Sequence, residues 1–347
     1  MKRFLYCLLL YVCFIGCKKE AVNTVDPSKY IFPIPQVDLT EDARVGAYYS
    51  VYKAADWAVA SPYTPTLGKY DPLTTSVMQQ HISWADAGGI NFFIFRWNGA
   101  TDSAILSTFK TATGNVKMVI DFNTAHLAAT NAAPLAGAKL QTMITEFKSL
   151  SDSYINTESY YKINNKPVIM LSPINLASAA LTSIDYKKVA DTLRVAMKSW
   201  GYDPIIIGEL TTGWVAPINF SEAAQRAMDG VVLNTWSTTD YDRSFAFYSY
   251  SDLNWQNWKK TLEGWSIDFV PCVFPGWNNP STPAQYVIPR NEKNYVDYLN
   301  VAKRSMGKNR LILINSWNDF QRGNTLEPAA EYNLDYLNIT KRELKKR

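Results

Sequence analysis

Short apolar runs rich in β-branched and aromatic residues recur along this chain, each followed by a stretch of helical or loop character. No other feature narrows the fold as much. The runs are Val45–Tyr52, Ile90–Trp97, Val116–Phe122, Lys166–Ser172, Pro204–Glu209, Gly230–Trp236, Phe269–Pro275 and Leu311–Ile314. A run that is apolar at nearly every position suits a strand buried on both faces, as in a parallel sheet covered by helices. Between the runs, apolar residues fall at helical spacing. Val77, His81, Ile82 and Ala85 mark a helix over Thr74–Ala87 that Gly88 and Gly89 close. Leu140, Met143, Ile144, Phe147 and Leu150 mark one over Leu135–Tyr154, and Val189, Leu193, Met197 and Trp200 one over Asp185–Trp200, ended by Gly201. Ser221 with Glu222 reads as the start of a short helix, Tyr295, Tyr298, Leu299 and Ala302 lie along Asn291–Met306, and a last helix runs from Asp335 with Leu337 and Leu344 inward. Eight strands alternating with helices predict a (β/α)8 barrel. A doubly wound open sheet is the alternative, but no glycine-rich phosphate loop follows any run. Pro271, inside the seventh run, cannot donate to a ladder and weakens that strand.

The first residues, MKRFLYCLLLYVCFIGCKKE, pair two basic side chains with an apolar run too short to span a bilayer, followed by Gly16 and Cys17. This is the pattern of a bacterial lipoprotein leader, with residues 1–16 removed and lipid attached to Cys17. Residues 17–40 then read as lipidated cysteine and tether, and 41–347 as one catalytic-type domain. The implied location is the bacterial cell envelope, anchored to a membrane, with an outer-membrane site expected. Loss of Cys7 and Cys13 with the leader leaves Cys272 without an intramolecular disulfide partner, so stability has to come from core burial.

Charge and composition exclude several functions. The formal net charge is +4 over 347 residues, and loss of Lys2 and Arg3 lowers it further, which is no footprint for nucleic acid. With only His81 and His126, a histidine-rich metal site is impossible, and no metal or other cofactor is implied. No GxSxG elbow is present for an esterase. The 11 Trp and 21 Tyr exceed the needs of one core and lean towards carbohydrate, whose C–H faces stack on aromatic rings.

In a barrel, the residues just past each strand share one mouth. That rule brings together Tyr48, Tyr49, Arg96, Trp97, Asp121, Asn123, Glu209, Asn234, Trp236, Trp277, Asn318, Asp319, Arg322 and Glu327. Carboxylates, amides and indoles in this mixture suit an oligo- or polysaccharide. Glycoside hydrolysis needs two groups flanking the scissile bond, usually carboxylates, and Asp121, Glu209, Asp319 and Glu327 are enough to supply them. Each acid taken singly also fits a loop cap or an arginine partner.

Ser316–Pro328, SWNDFQRGNTLEP, resembles the Asn-Glu-Trp-x-Glu-Gly-x-x-x-Glu-Pro motif of glycoside hydrolase family 99 endo-α-mannosidases and their WbsX-like relatives. Gly46–Tyr49, Tyr70-Asp71-Pro72, His81 through Trp97, Tyr161–Pro167 and Pro275-Gly276-Trp277 resemble other stretches of that family in the same order. The resemblance implies a (β/α)8 barrel that cleaves an α-linked, mannan-like glycan. It also implies a base at the first Glu of the motif, acting on the sugar 2-hydroxyl, and a general acid/base at the second. Here those positions hold Asp319 and Arg322, and an arginine cannot pass a proton back and forth. Two expectations follow. Either Asp319 is the base, Glu327 or Glu209 the acid, and Trp97, Trp236, Trp277 and Tyr49 the sugar platforms, or the barrel is a catalytically inactive glycan-binding lipoprotein. A monomer is expected in both cases.

Overall fold

A computed structural model describes residues 31–174, 184–210, 226–233, 246–281 and 287–346. The leader, Cys17, the Ser221–Glu222 helix start, Asn234 and Trp236 lie outside the described residues. Among the described residues, nine strands form a parallel path: β1 (Arg44–Tyr49), β2 (Phe92–Trp97), β3 (Lys117–Asn123), β5 (Lys166–Ile174), β6 (Ile205–Leu210), β7 (Gly230–Leu233), β8 (Asp268–Val270), β9 (Cys272–Val273) and β10 (Leu311–Ile314). The remaining two-residue strand, β4 (Lys162–Ile163), pairs antiparallel with β5. The order is β8-β7-β6-β5-β3-β2-β1-β10-β9.

Proline decides how this path closes. The seventh run is split at Pro271: β8 pairs with β7 and β9 with β10. Pro271 has no N–H to give, but its carbonyl accepts from Leu313 at 2.8 Å, so one broken strand bridges the two edges and the eight-strand barrel is complete.

Two buried clusters follow from the alternation of side chains along each strand. Ile94, Val119, Met170, Ile207, Val232, Val270, Cys272 and Leu313 pack with Phe92 inside the barrel. Val45, Ala47, Phe93, Phe95, Ile120 and Ile206, one position out of phase, pack against the helices. Gly46 is small because the Phe92 ring occupies the space its side chain would need: an added Cβ would lie 2.1 Å from that ring.

Seven α-helices among the described residues cover the barrel: α1 (Thr75–Ala87), α2 (Ser103–Thr111), α3 (Gly137–Leu150), α4 (Tyr186–Ser199), α5 (Phe247–Gly264), α6 (Glu292–Ser305) and α7 (Asp335–Leu344). Asp185 and Asn291 cap α4 and α6 by accepting from Lys188 and Asn294 backbone N–H groups. Gly89 and Gly201 follow α1 and α4 at φ +77° and +91°, a backbone region that favours glycine. Sequence periodicity anticipates α1, α3, α4, α6 and α7, but not α2 or α5. In α5 the buried Trp255, Trp258 and Leu262 are embedded among polar residues that obscure the stripe. Residues 31–40 have no regular secondary structure. Ile34 is nonetheless part of the core, and Val37 N–H donates to Asn300 Oδ1 at 3.0 Å, so packing starts ahead of residue 41. Lys345, just past α7, donates to Ala43 O and Asn91 Oδ1 and ties the helix to the N-terminal ends of the strands.

Gly46→Ala should destabilise the fold by about 1–3 kcal/mol through overpacking against Phe92. Denaturant unfolding should show most of this loss recovered when Phe92→Leu is added.

Candidate functional site: the C-terminal mouth of the barrel

Alternation sorts the strand-end residues before any contact is considered. Arg96, Asp121 and Glu209 each lie two residues beyond an inward-facing apolar residue, Ile94, Val119 and Ile207 respectively, so they crown the barrel interior. Arg96 and Asp121 are direct register partners on β2 and β3. The Arg96 guanidinium donates from Nε to Asp121 Oδ2 at 2.9 Å and from Nη2 to Glu209 Oε1 at 2.9 Å. It thereby reaches from β2 to β6 across two intervening strands. Tyr48 donates its phenol to Glu209 Oε2 at 3.0 Å. Both carboxylates are buried, whereas the Arg96 side chain keeps 44% of its surface exposed towards solvent. Burial works against the arginine's charge, but the paired Asp121 and Glu209 outweigh it and raise its pKa above the ordinary value. Burial, then the Glu209 charge, hold the Tyr48 phenol well above its ordinary pKa, so it acts as a hydrogen-bond donor.

Asp319 follows β10 on the same face. Its Oδ2 accepts from Arg322 Nη1 at 2.6 Å, and its Oδ1 accepts from the Arg322 backbone N–H at 3.3 Å and the Tyr52 phenol at 3.4 Å. The carboxylate caps a short turn over Phe320–Arg322 and is almost wholly covered, while Arg322 is half exposed. Tyr52 stacks on Trp57 with ring centroids 4.5 Å apart. Both rings line a cavity of about 690 Å³ between the loops after β1 and β2, together with Lys53, Lys69, Leu73 and Ile105. Tyr52 therefore forms a wall between that cavity and Asp319. Its phenol is raised in pKa by burial and by the Asp319 charge.

A second polar network lies behind this turn. Glu327 and His81 are fully buried, with Glu327 Oε1 3.3 Å from His81 Nε2. Tyr70 donates to Glu327 Oε2 at 2.6 Å, Tyr49 O–H lies 2.9 Å from His81 Nδ1, and Asn318 Nδ2 donates to the Tyr70 oxygen at 3.0 Å. Asn318 also brackets Ser50, accepting from its N–H at 2.7 Å and donating to its carbonyl at 2.9 Å.

These positions correct several expectations. Glu327 is enclosed in the core and does not face the mouth. Tyr49 and Trp97, expected as sugar platforms, stand one residue out of phase with Tyr48 and Arg96 and turn towards the helices. The Trp97 indole donates to Glu146 at 2.7 Å. Trp277 is buried against Phe274 and offers no free face. Asn123 caps a turn by accepting from Ala125 N–H and donates to Asn98, half exposed at the rim. Sequence reasoning did not place Trp57 at the site, read Tyr52 as the end of the first strand where β1 stops at Tyr49, and marked Tyr70 only through the family resemblance without a role. It took His81 as an ordinary helix-packing residue. Among the described residues, no group of three or more His, Cys, Asp or Glu side chains is arranged to hold a metal ion.

Residues 26–345 match the family model of Glycosyl hydrolase family 99. The chain belongs to this family. Within the family motif, Asn318, Gly323, Glu327 and Pro328 keep the expected residues, while Asp319 and Arg322 stand where glutamates are expected. A glycoprotein endo-alpha-1,2-mannosidase from Mus musculus is 22% identical over 289 residues, which is 78% of this chain; the chain spans 58% of the length of that relative. Among solved structures, a glycoside hydrolase-like protein is similar with a TM-score of 0.78 and 23% identity, over 92% of this chain and 99% of its own. The endo-alpha-mannosidase of family 99 from Bacteroides thetaiotaomicron, in complex with BIS-TRIS-propane, follows with a TM-score of 0.59 and 19% identity, over 87% and 97%. At these identities the likeness is one of fold.

Arg96→Met should leave Asp121 and Glu209 buried without their shared counter-charge and destabilise the protein by about 3 kcal/mol. Adding Asp121→Asn and Glu209→Gln should recover much of that loss in the same urea titration.

Proposed function

We propose that this protein is a glycoside hydrolase of the bacterial cell envelope that cleaves an α-linked, mannan-like glycan at the barrel mouth. Family membership supports the reaction class, and the names of the mouse and Bacteroides relatives support an α-mannoside. The observation that carries the reading is Asp319: it stands at the first carboxylate position of the family motif, at the end of β10, with Tyr52 against one oxygen. In this reading Asp319 takes the proton from a substrate hydroxyl. Arg96, Tyr48 and Asp121 meet sugar hydroxyls, and Glu209 remains the candidate acid because it ends β6 beside the partly exposed Arg96, whereas Glu327 is held by Tyr70 and His81 behind the turn.

One observation favours a second reading. Arg322 occupies the acid/base position and its guanidinium lies 2.6 Å from Asp319, an arrangement that suits glycan binding without cleavage because arginine stays protonated. Incubation with labelled α-mannans and other α-glycans separates the two. The hydrolase reading predicts new reducing ends from the wild type and a loss of about 100-fold or more in Asp319→Asn. Glycan binding by both proteins with no release by either would replace hydrolysis with recognition.

The leader pattern ending at Cys17 supports envelope anchoring. Cys17→Ala should move the protein from the membrane to the soluble fraction on cell fractionation. An unchanged distribution would contradict lipid attachment at that thiol.

A further inference from the structure

The His81–Glu327 pair is costly to keep in a core, because two apolar residues of similar volume often serve stability as well or better. What the pair does that apolar residues cannot is fix a direction of contact. Its contacts lead from α1 towards the mouth. His81, on α1, packs with Nε2 3.3 Å from Glu327 Oε1, a close contact outside hydrogen-bond geometry, and Tyr70 from the loop after β1 donates to Oε2. Tyr70 in turn receives Asn318, the residue next to Asp319. The backbone is drawn into the same set: Glu327 N–H donates to Trp317 O at 2.6 Å, and Trp317 N–H to Tyr48 O at 2.7 Å. The Asn318 side chain closes on both backbone groups of Ser50, two residues before Tyr52. The two sides of Asp319, its own turn and the Tyr52 segment, are thus set by one buried network.

We propose that His81 and Glu327 are positioning residues for the reaction: from behind the mouth, through Tyr70 and Asn318, they hold the Asp319 carboxylate against Tyr52. This rests on the reading of Asp319 as the reacting carboxylate. Arg96, Asp121 and Glu209 are carried by other elements, β2, β3 and β6, and Arg96 pairs with Asp121 and Glu209 rather than with His81 or Glu327. Loss of the two side chains should therefore displace Asp319 while the strand register keeps Arg96 and Asp121 in place and the backbone bond from Trp317 keeps Tyr48.

Steady-state kinetics on a cleaved α-glycan test this with His81→Gln, Glu327→Gln and the double variant. Each single change should lower kcat by about 100-fold with KM within about twofold. The double variant, in which two neutral amides face each other, should be no worse than either single change, since the residues act as a unit. If His81→Gln does not fold, Tyr70→Phe removes one O–H from the same network and should give the same split between kcat and KM. Additive losses, a rise in KM at constant kcat, or wild-type turnover in Tyr70→Phe would overturn the proposal. Wild-type turnover abolished in Asp319→Asn but untouched in His81→Gln would overturn this proposal alone. A wild type that cleaves none of the glycans would overturn the Asp319 reading and this inference with it.

Discussion

One guanidinium holds the upper layer of the barrel together. Arg96 takes one carboxylate from the neighbouring β3 and another from β6, two strands further round, and Tyr48 on β1 closes on the second. Below this layer the interior is apolar, from Phe92 and Ile94 through Met170 and Leu313. The polar cluster therefore marks the level at which apolar packing gives way to charged and hydrogen-bonding groups. Acids buried on an apolar floor need the arginine, and the arginine's exposed edge needs the acids to fix its direction.

Much of the fold was legible because parallel strands buried on both faces write themselves as apolar runs. Leu311–Ile314 agrees with the structure to the residue, and the other described strands agree to within a few residues. Pro271 was rightly the weak point of the seventh run, and its effect is to divide one strand between two ladders. Helix α5 escaped detection because Trp255 and Trp258 bury their indoles within a polar-looking segment.

The site was legible in part, for a reason that the strands themselves supply. A list of strand-end residues ignores the period of two, so it mixed Tyr48 and Arg96, which crown the interior, with Tyr49 and Trp97, which face the helices. Counting inward from Ile94, Val119 and Ile207 would have separated them. Tyr52, Trp57 and Tyr70 were beyond reach of that count, since a long loop carries no period and only the folded chain brings them to Asp319 and Glu327. The family motif likewise combines two kinds of residue. Asn318 and Glu327 join the turn to the core, while Asp319 and Arg322 form an ion pair at the turn after β10 where the family pattern has two glutamates.

The account stands on the mouth being a sugar-binding layer built by Arg96, its two acids and the turn at Asp319. A crystal structure of the protein with an uncleaved α-mannooligosaccharide tests this most directly. The account predicts a sugar ring at the mouth with hydroxyls in hydrogen-bond reach of Arg96 and Glu209, and the scissile unit beside Asp319. A saccharide bound elsewhere on the surface, with the Arg96 cluster still covered and untouched, would contradict it.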